Sequence, residues 1–174
     1  MELVVLVDEK NIEIGTARKL TVHTRNTPLH RGFSLFIFNN IHEVLLTRRA
    51  DAKLTFPGVW TNAVCGHPGP GETVRAAAKR RLKEELGIAG VDIQEVSPYR
   101  YRFADQNGIV ENEICPILRA TFSGDPTPDP NEVDNWKWMD WQAFLTDMHT
   151  NPHMYSPWCR EEVVILQQTD PALL

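Results

Sequence analysis

Cysteine is scarce, long apolar runs are missing and positive charge is in deficit in this chain of 174 residues. The three cysteines, Cys65, Cys115 and Cys159, cannot all pair within one chain and are too few for a disulfide scaffold, so a reducing compartment is expected. No stretch approaches the roughly 18 apolar residues a membrane span needs. The opening MELVVLVDEK has no basic n-region and no cleavage-like site. These absences predict a cytoplasmic protein with no membrane insertion. Lys and Arg number 18 against 23 Asp and Glu, a net charge of -5, which argues against a broad basic face for nucleic acid.

What is present is a composition able to fold. With 42% hydrophobic and 24% charged residues, the chain reads as one globular domain spanning 1–174. The charge is unevenly spread: residues 1–103 hold 15 basic and 11 acidic side chains, and 104–174 hold 3 and 12. An anionic small molecule should therefore be sought in the first half.

Periodicity and turn signals predict hairpins over residues 3–7 with 12–16 and over 32–39 with 43–48, and a short strand over 59–64. A helix is expected from Glu72 to Leu86, with Val74, Ala77, Ala78, Leu82 and Leu86 on one face and Gly87 as its stop. Further strands are expected over 99–103, 109–122 and 136–140, and helices over 141–148 and 157–168. The Pro- and Asp-rich GDPTPDPNE reads as a surface loop. Strands and helices mix without regular βαβ alternation, which gives an α+β class built in layers.

The segment from Gly66 to Ile88, GHPGPGETVRAAAKRRLKEELGI, is the most specific feature. Gly66, Glu72, Arg80, Leu82, Glu84, Glu85, Gly87 and Ile88 fall in register with the Nudix box, which the segment resembles. The resemblance implies a Nudix-like fold, with a mixed β-sheet layered between helices, and box carboxylates that hold Mg²⁺ against a diphosphate. Arg81 departs from the pattern, which has Glu there. A positive charge at that position points to a relative that binds a diphosphate without cleaving it.

TVHTRNTPLHRGFS, TRRADAKLTFPGVWTNAVCGHP, YRYR, GIVENEICPI and SPW together resemble the bacterial type I isopentenyl-diphosphate isomerases, from about Val4 to Trp158. That resemblance implies metal ligands at His23, His30, His67, Glu111 and Glu113. Glu111 and Glu113 are two apart on an expected strand and so share a face. Three imidazoles and two carboxylates suit a divalent ion, Zn²⁺, Mn²⁺ or Mg²⁺, with residue types alone leaving the metal open. The resemblance further implies Lys19, Arg49, Lys53 and Arg81 around a small allylic or homoallylic diphosphate, with Glu85 holding a Mg²⁺ bridging to the phosphates.

Moving a double bond by one carbon requires protonating an unactivated alkene, sheltering a tertiary carbocation and removing a proton from the opposite face. The resemblance assigns these proton transfers to Cys65, as thiol or thiolate, and Glu113, with Tyr101 assisting Glu113. Trp158 matches the aromatic residue whose π face shelters the cation. His42, His149, His153, Cys115 and Cys159 are read as structural. Two rival functions remain: a Nudix hydrolase of a nucleoside diphosphate derivative and a non-catalytic phosphate- or metal-binding module. Oligomeric state is not readable, and the last dozen residues carry no motif.

Overall fold

The run FSLFIF organises the molecule, because all six of its side chains are buried. Such a strand must be covered on both faces. The computed structural model describes residues 2–170. In chain order the elements are β1 (Leu3–Val7), β2 (Glu13–Arg18), α1 (Lys19–Val22), β3 (His30–Arg31), β4 (Phe33–Phe38) and β5 (Glu43–Arg49). There follow β6 (Trp60–Thr61), β7 (Val64–Gly66), α2 (Val74–Leu86), β8 (Ile93–Ser97), β9 (Arg100–Ala104), β10 (Val110–Ile114) and β11 (Ile117–Thr121). The chain closes with β12 (Val133–Asp140), α3 (Trp141–Thr150), a 3-10 turn at Pro152–Met154 and α4 (Pro157–Thr169).

Phe33, Leu35 and Ile37 of β4 pack against Ala77, Ala78, Leu82 and Leu86 of α2. Phe36 and Phe38 face Trp141 and Phe144 of α3 and Cys159, Val163 and Leu166 of α4. Each large apolar side chain buried this way contributes about 1.5–3 kcal/mol. The expected mixed sheet between helices is therefore present, with Cys115 and Cys159 in its core. Among the described residues no helix is long and apolar enough to cross a membrane.

The strands form a five-stranded sheet, β2-β1-β3-β10-β9, and a seven-stranded sheet, β12-β5-β4-β11-β8, with β6 on β5 and β7 on β4. Two parallel-paired runs of chain cross from one sheet to the other side by side. One passes from β3 to β4 at Gly32, the other from β10 to β11 at Cys115 and Pro116. Gly32 N–H donates to Ile114 O and Ser34 N–H to Pro116 O across the junction. Pro116 has no N–H to continue the ladder, so the single strand expected over 109–122 is instead two. The functional side chains gather where the sheets part.

Other boundaries shift for local reasons. The expected hairpin of 32–39 with 43–48 pairs only at Phe38 and Val44 before it opens. Into that opening go residues 60–66, so the single strand expected over 59–64 is instead two short strands, β6 and β7, the second of which sets Cys65 opposite Ser34. Helix α2 begins at Val74 rather than Glu72, because the Thr73 hydroxyl accepts from Ala76 N–H as the cap. Gly87 ends it at φ 68°, the left-handed value expected of that stop. Strand β8 carries no clear sequence signal, since IQEVS alternates poorly.

Candidate active site

Three site residues come from one cross-strand row. In the five-stranded sheet His30 of β3 lies beside Glu113 of β10, which lies beside Tyr101 of β9. His23 follows α1, and His67 follows β7 directly. The ligating atoms of His23, His30, His67 and Glu113 lie within 4.8 Å of one another. The three imidazole centroids are 5.0 to 5.6 Å apart. His67 Nε2 is 3.0 Å from Glu113 Oε1, and His30 Nε2 is 3.5 Å from the same oxygen.

The donor set fits a divalent metal. His30 Nδ1–H donates to Pro28 O at 2.9 Å, which leaves the Nε2 lone pair turned to the cluster. Among the described residues His23 Nε2, His30 Nε2 and His67 Nδ1 are buried without a hydrogen-bond partner. Burial, aided by the His67 and His30 charges, pushes His23 down to about 3, so its imidazole is neutral. Burial also lowers His67. Although burial opposes it, the two histidines hold Glu113 well below the usual carboxylate range, so it is ionised.

Glu111 shares the face of Glu113 as expected but faces other partners. It accepts from Thr55 Oγ1–H and, at 3.0 Å, from Tyr101 O–H, with Arg49 at 3.9 Å. Tyr101 is thus Glu113's neighbour in the ladder, yet its hydroxyl serves Glu111. Cys65 is half-buried, and its thiol donates to Asn62 Oδ1 at 3.3 Å. Burial pushes this thiol up, selecting the neutral form of the two expected.

A cavity of about 350 Å³ joins these groups. Its lining includes Cys65, His23, His67, Glu111, Glu113, Tyr101 and Trp158, together with Lys19, Arg49, Lys53 and Arg81. His30 lies fully buried behind them. The Arg49 guanidinium sits 5.5 Å from the Trp158 ring centroid, so that π face already receives a cation.

Residues 28–159 match the NUDIX domain family. The chain is 49% identical over 159 residues to the isopentenyl-diphosphate Delta-isomerase of Paenarthrobacter aurescens, covering 90% of this chain and 86% of that one. It is 46% identical over 166 residues to the enzyme of the same name from Clavibacter michiganensis subsp. michiganensis, covering 95% and 86%. The chain belongs to the Nudix-domain isopentenyl-diphosphate Delta-isomerases. Among solved structures, the fold is similar to that of DR0079 from Deinococcus radiodurans, with a TM-score of 0.76 at 16% identity over 97% of this chain and 99% of that one. The MutT protein of Methanosarcina mazei Go1 gives 0.67 at 17% identity, over 81% and 94%.

This member of the isopentenyl-diphosphate Delta-isomerase family is therefore an enzyme whose box has a distinctive charge pattern. Arg80 donates to Glu72 at 2.8 Å, and Arg81 reaches Glu84 at 2.9 Å and Glu85 at 2.7 Å. None of the three box carboxylates lines the cavity. Glu85, expected to hold Mg²⁺, is buried beneath Arg81 and is not brought to the histidine cluster.

Several residues of the site have no role legible in the sequence. Glu132, from the loop read as mere surface, pairs with Lys53 and, at 2.9 Å, with Arg81. Glu2 pairs with Lys19 at 3.0 Å. Ser34 and Asn62 both contact the Cys65 sulfur. Asn62 stood inside the quoted WTNAVC motif, but a buried amide leaves no periodic signal.

Proposed function

We propose that this protein interconverts isopentenyl and dimethylallyl diphosphates by antarafacial proton transfers through a tertiary carbocation, as a single Nudix domain spanning 1–174. The observation that carries this reading is that one cavity is lined by a thiol, Cys65, and a carboxylate, Glu113, that come from different sheets. Two groups that hold or accept a proton, approaching from separate sheets, suit addition to one carbon and removal from another.

His23, His30, His67 and Glu113 would hold a divalent ion, with Glu111 beside them. When bound, the ion supplies a fixed positive charge that orders Glu113 and tunes its basicity. Glu113 serves one end of the allylic system. Cys65, a thiol held by Asn62, serves the other. Tyr101 keeps Glu111 in place and packs against Trp158 with centroids 5.9 Å apart, which keeps water from the reacting carbons. The Trp158 face stabilises the developing cation where Arg49 now lies. Lys19, Arg49, Lys53 and Arg81 bind the diphosphate, each exchanging or sharing its present partner for phosphate oxygens. A Mg²⁺ expected at Glu85 would arrive with the diphosphate and compete with Arg81 for that carboxylate.

The hydrolase reading is disfavoured, since Glu72 is tied to Arg80, Glu84 and Glu85 are tied to Arg81, and none of the three carboxylates lines the cavity that holds Cys65 and Glu113. Incubation of the metal-loaded protein with isopentenyl diphosphate, followed by product analysis and phosphate determination, tests the proposal. Dimethylallyl diphosphate without phosphate release is expected. Phosphate release without isomerisation overturns it, as does tight binding without turnover.

A further inference from the structure

Helix α4 carries its apolar residues toward the core at Cys159, Val163 and Leu166, and Glu162 falls on that same face. A carboxyl group there is out of place, and Glu162 is 0% exposed. Its Oε2 lies 2.7 Å from Ser34 Oγ. Its Oε1 is buried with no hydrogen-bond partner among the described residues. An ionised carboxylate with one oxygen so stripped of partners carries a large desolvation penalty, which favours the neutral acid.

The contact leads toward the cavity. Ser34 and Cys65 are opposite one another in the β4–β7 ladder, and Ser34 Oγ lies 3.6 Å from Cys65 Sγ. Cys65 has a single proton, which it donates to Asn62 Oδ1. Asn62 is fixed in that orientation, because its amide donates to Leu35 O at 3.0 Å and Val64 O at 3.2 Å. The Ser34 hydroxyl also has one proton. It goes to Glu162 if that carboxyl is ionised, and is free for the Cys65 sulfur if Glu162 is itself the donor.

We propose that Glu162 is a positioning residue that acts through Ser34: as the neutral acid it donates to Ser34 Oγ and thereby turns the Ser34 hydroxyl onto Cys65 Sγ. This rests on the isomerase reading. Whichever carbon Cys65 serves, its sulfur carries a proton in one half of the cycle and lacks it in the other. Asn62 Oδ1 can only accept, so it satisfies the thiol and offers nothing to the thiolate. The Ser34 hydroxyl is the donor that the thiolate needs, and Glu162 keeps it available. Burial, opposed by the Ser34 hydrogen bond and reinforced by the Glu113 and Glu161 charges, pushes Glu162 up to about 8, consistent with an acid that stays protonated near neutral pH.

The test compares Glu162→Leu, Glu162→Gln, Ser34→Ala and the Glu162→Leu/Ser34→Ala double variant in metal-loaded protein with isopentenyl diphosphate. A hydrogen bond to a charged group is worth about tenfold or more in rate. Glu162→Leu and Ser34→Ala should each lower kcat by at least about tenfold with KM and metal content unchanged, and the double variant should be no worse than Ser34→Ala. Glu162→Gln, whose carboxamide N–H can donate to Ser34, should restore kcat to within about threefold of wild type. A purely structural carboxyl predicts that Leu costs no kcat, which overturns the proposal. So does Glu162→Gln falling as far as Glu162→Leu, or losses that multiply in the double variant. If Glu162→Leu does not fold, Ser34→Ala decides alone: unchanged kcat overturns the relay. A wild type unable to isomerise the substrate overturns the function and the relay together, whereas an active wild type with unaffected variants overturns the relay alone.

Discussion

Adding one methyl group at Gly32 separates the fold from the chemistry. Gly32 stands where the chain leaves β3 for β4, and its backbone is not in the left-handed region, so alanine fits the local conformation. An alanine Cβ there would lie 1.9 Å from Glu113 Oε2 and 2.9 Å from its carboxyl carbon. Non-bonded atoms of this kind rest about 3.5 Å apart, so the carboxylate must retreat by roughly 1.5 Å. The obstacle is the far end of a side chain rather than backbone, so the strain is about 1 kcal/mol, and the melting temperature should fall by no more than about 4 °C. Displacing a reacting group by about 1 Å costs about 100-fold in rate. Gly32→Ala should therefore lower kcat on isopentenyl diphosphate at least about 100-fold and weaken metal binding at least about tenfold. Steady-state kinetics, metal titration and thermal unfolding on the same preparation check this. A Gly32→Ala protein with wild-type kcat and metal affinity would refute the placement of Glu113 at the centre of the site.

Cys65→Ala should reduce isomerisation by a factor of about 10³ or more while leaving metal stoichiometry unchanged, because the thiol is outside the ligand cluster. Retained turnover would remove its catalytic role. Glu113→Gln should lose both metal and turnover, and normal metal content in that variant, read by atomic emission, would contradict the ligand assignment. Glu132 supplies a pH test. Burial would raise its carboxyl, but Lys53 and Arg81 outweigh that and hold it down to about 2 from an ordinary 4.5. A depressed folded value means stability that is present above pH 4.5 and lost as pH falls toward 2. Urea midpoints taken across that window should drop less steeply for Glu132→Gln than for wild type, and parallel curves would show that the pairing is energetically silent.

The fold was legible wherever local chemistry decided it. The α2 stripe, the Gly87 stop and the alternation around Glu111 and Glu113 each state their structure in a few residues. What stayed hidden was determined by partners distant in sequence. Nothing near Trp60 announces that residues 60–66 enter the gap between β4 and β5, yet that insertion is what sets Cys65 opposite Ser34. The division of 109–122 was marked by Pro116 but concealed by the apolar run around it. In the site, the residue types were readable and their hydrogen bonds were not. Tyr101 is expected beside Glu113 and is its ladder partner, but its hydroxyl donates to Glu111, the diagonal neighbour on the adjacent strand. Of the cations expected around a diphosphate, Arg81 pairs with Glu84 and Glu85 at the helical spacing the sequence shows, whereas the pairing of Lys19 with Glu2 and of Lys53 and Arg81 with Glu132 joins residues that local sequence does not connect. Glu162 did leave a trace, a carboxylate on the apolar stripe of a helix.

If a double bond moves through two opposed proton transfers in this cavity, hydrogen from solvent must enter the product. Incubation of the metal-loaded protein with isopentenyl diphosphate in D₂O, followed by proton and deuterium NMR, measures it most directly. The expected product is dimethylallyl diphosphate carrying solvent deuterium in its methyl groups, with the diphosphate intact. Unlabelled, unisomerised substrate or free phosphate as the principal product would contradict that mechanism.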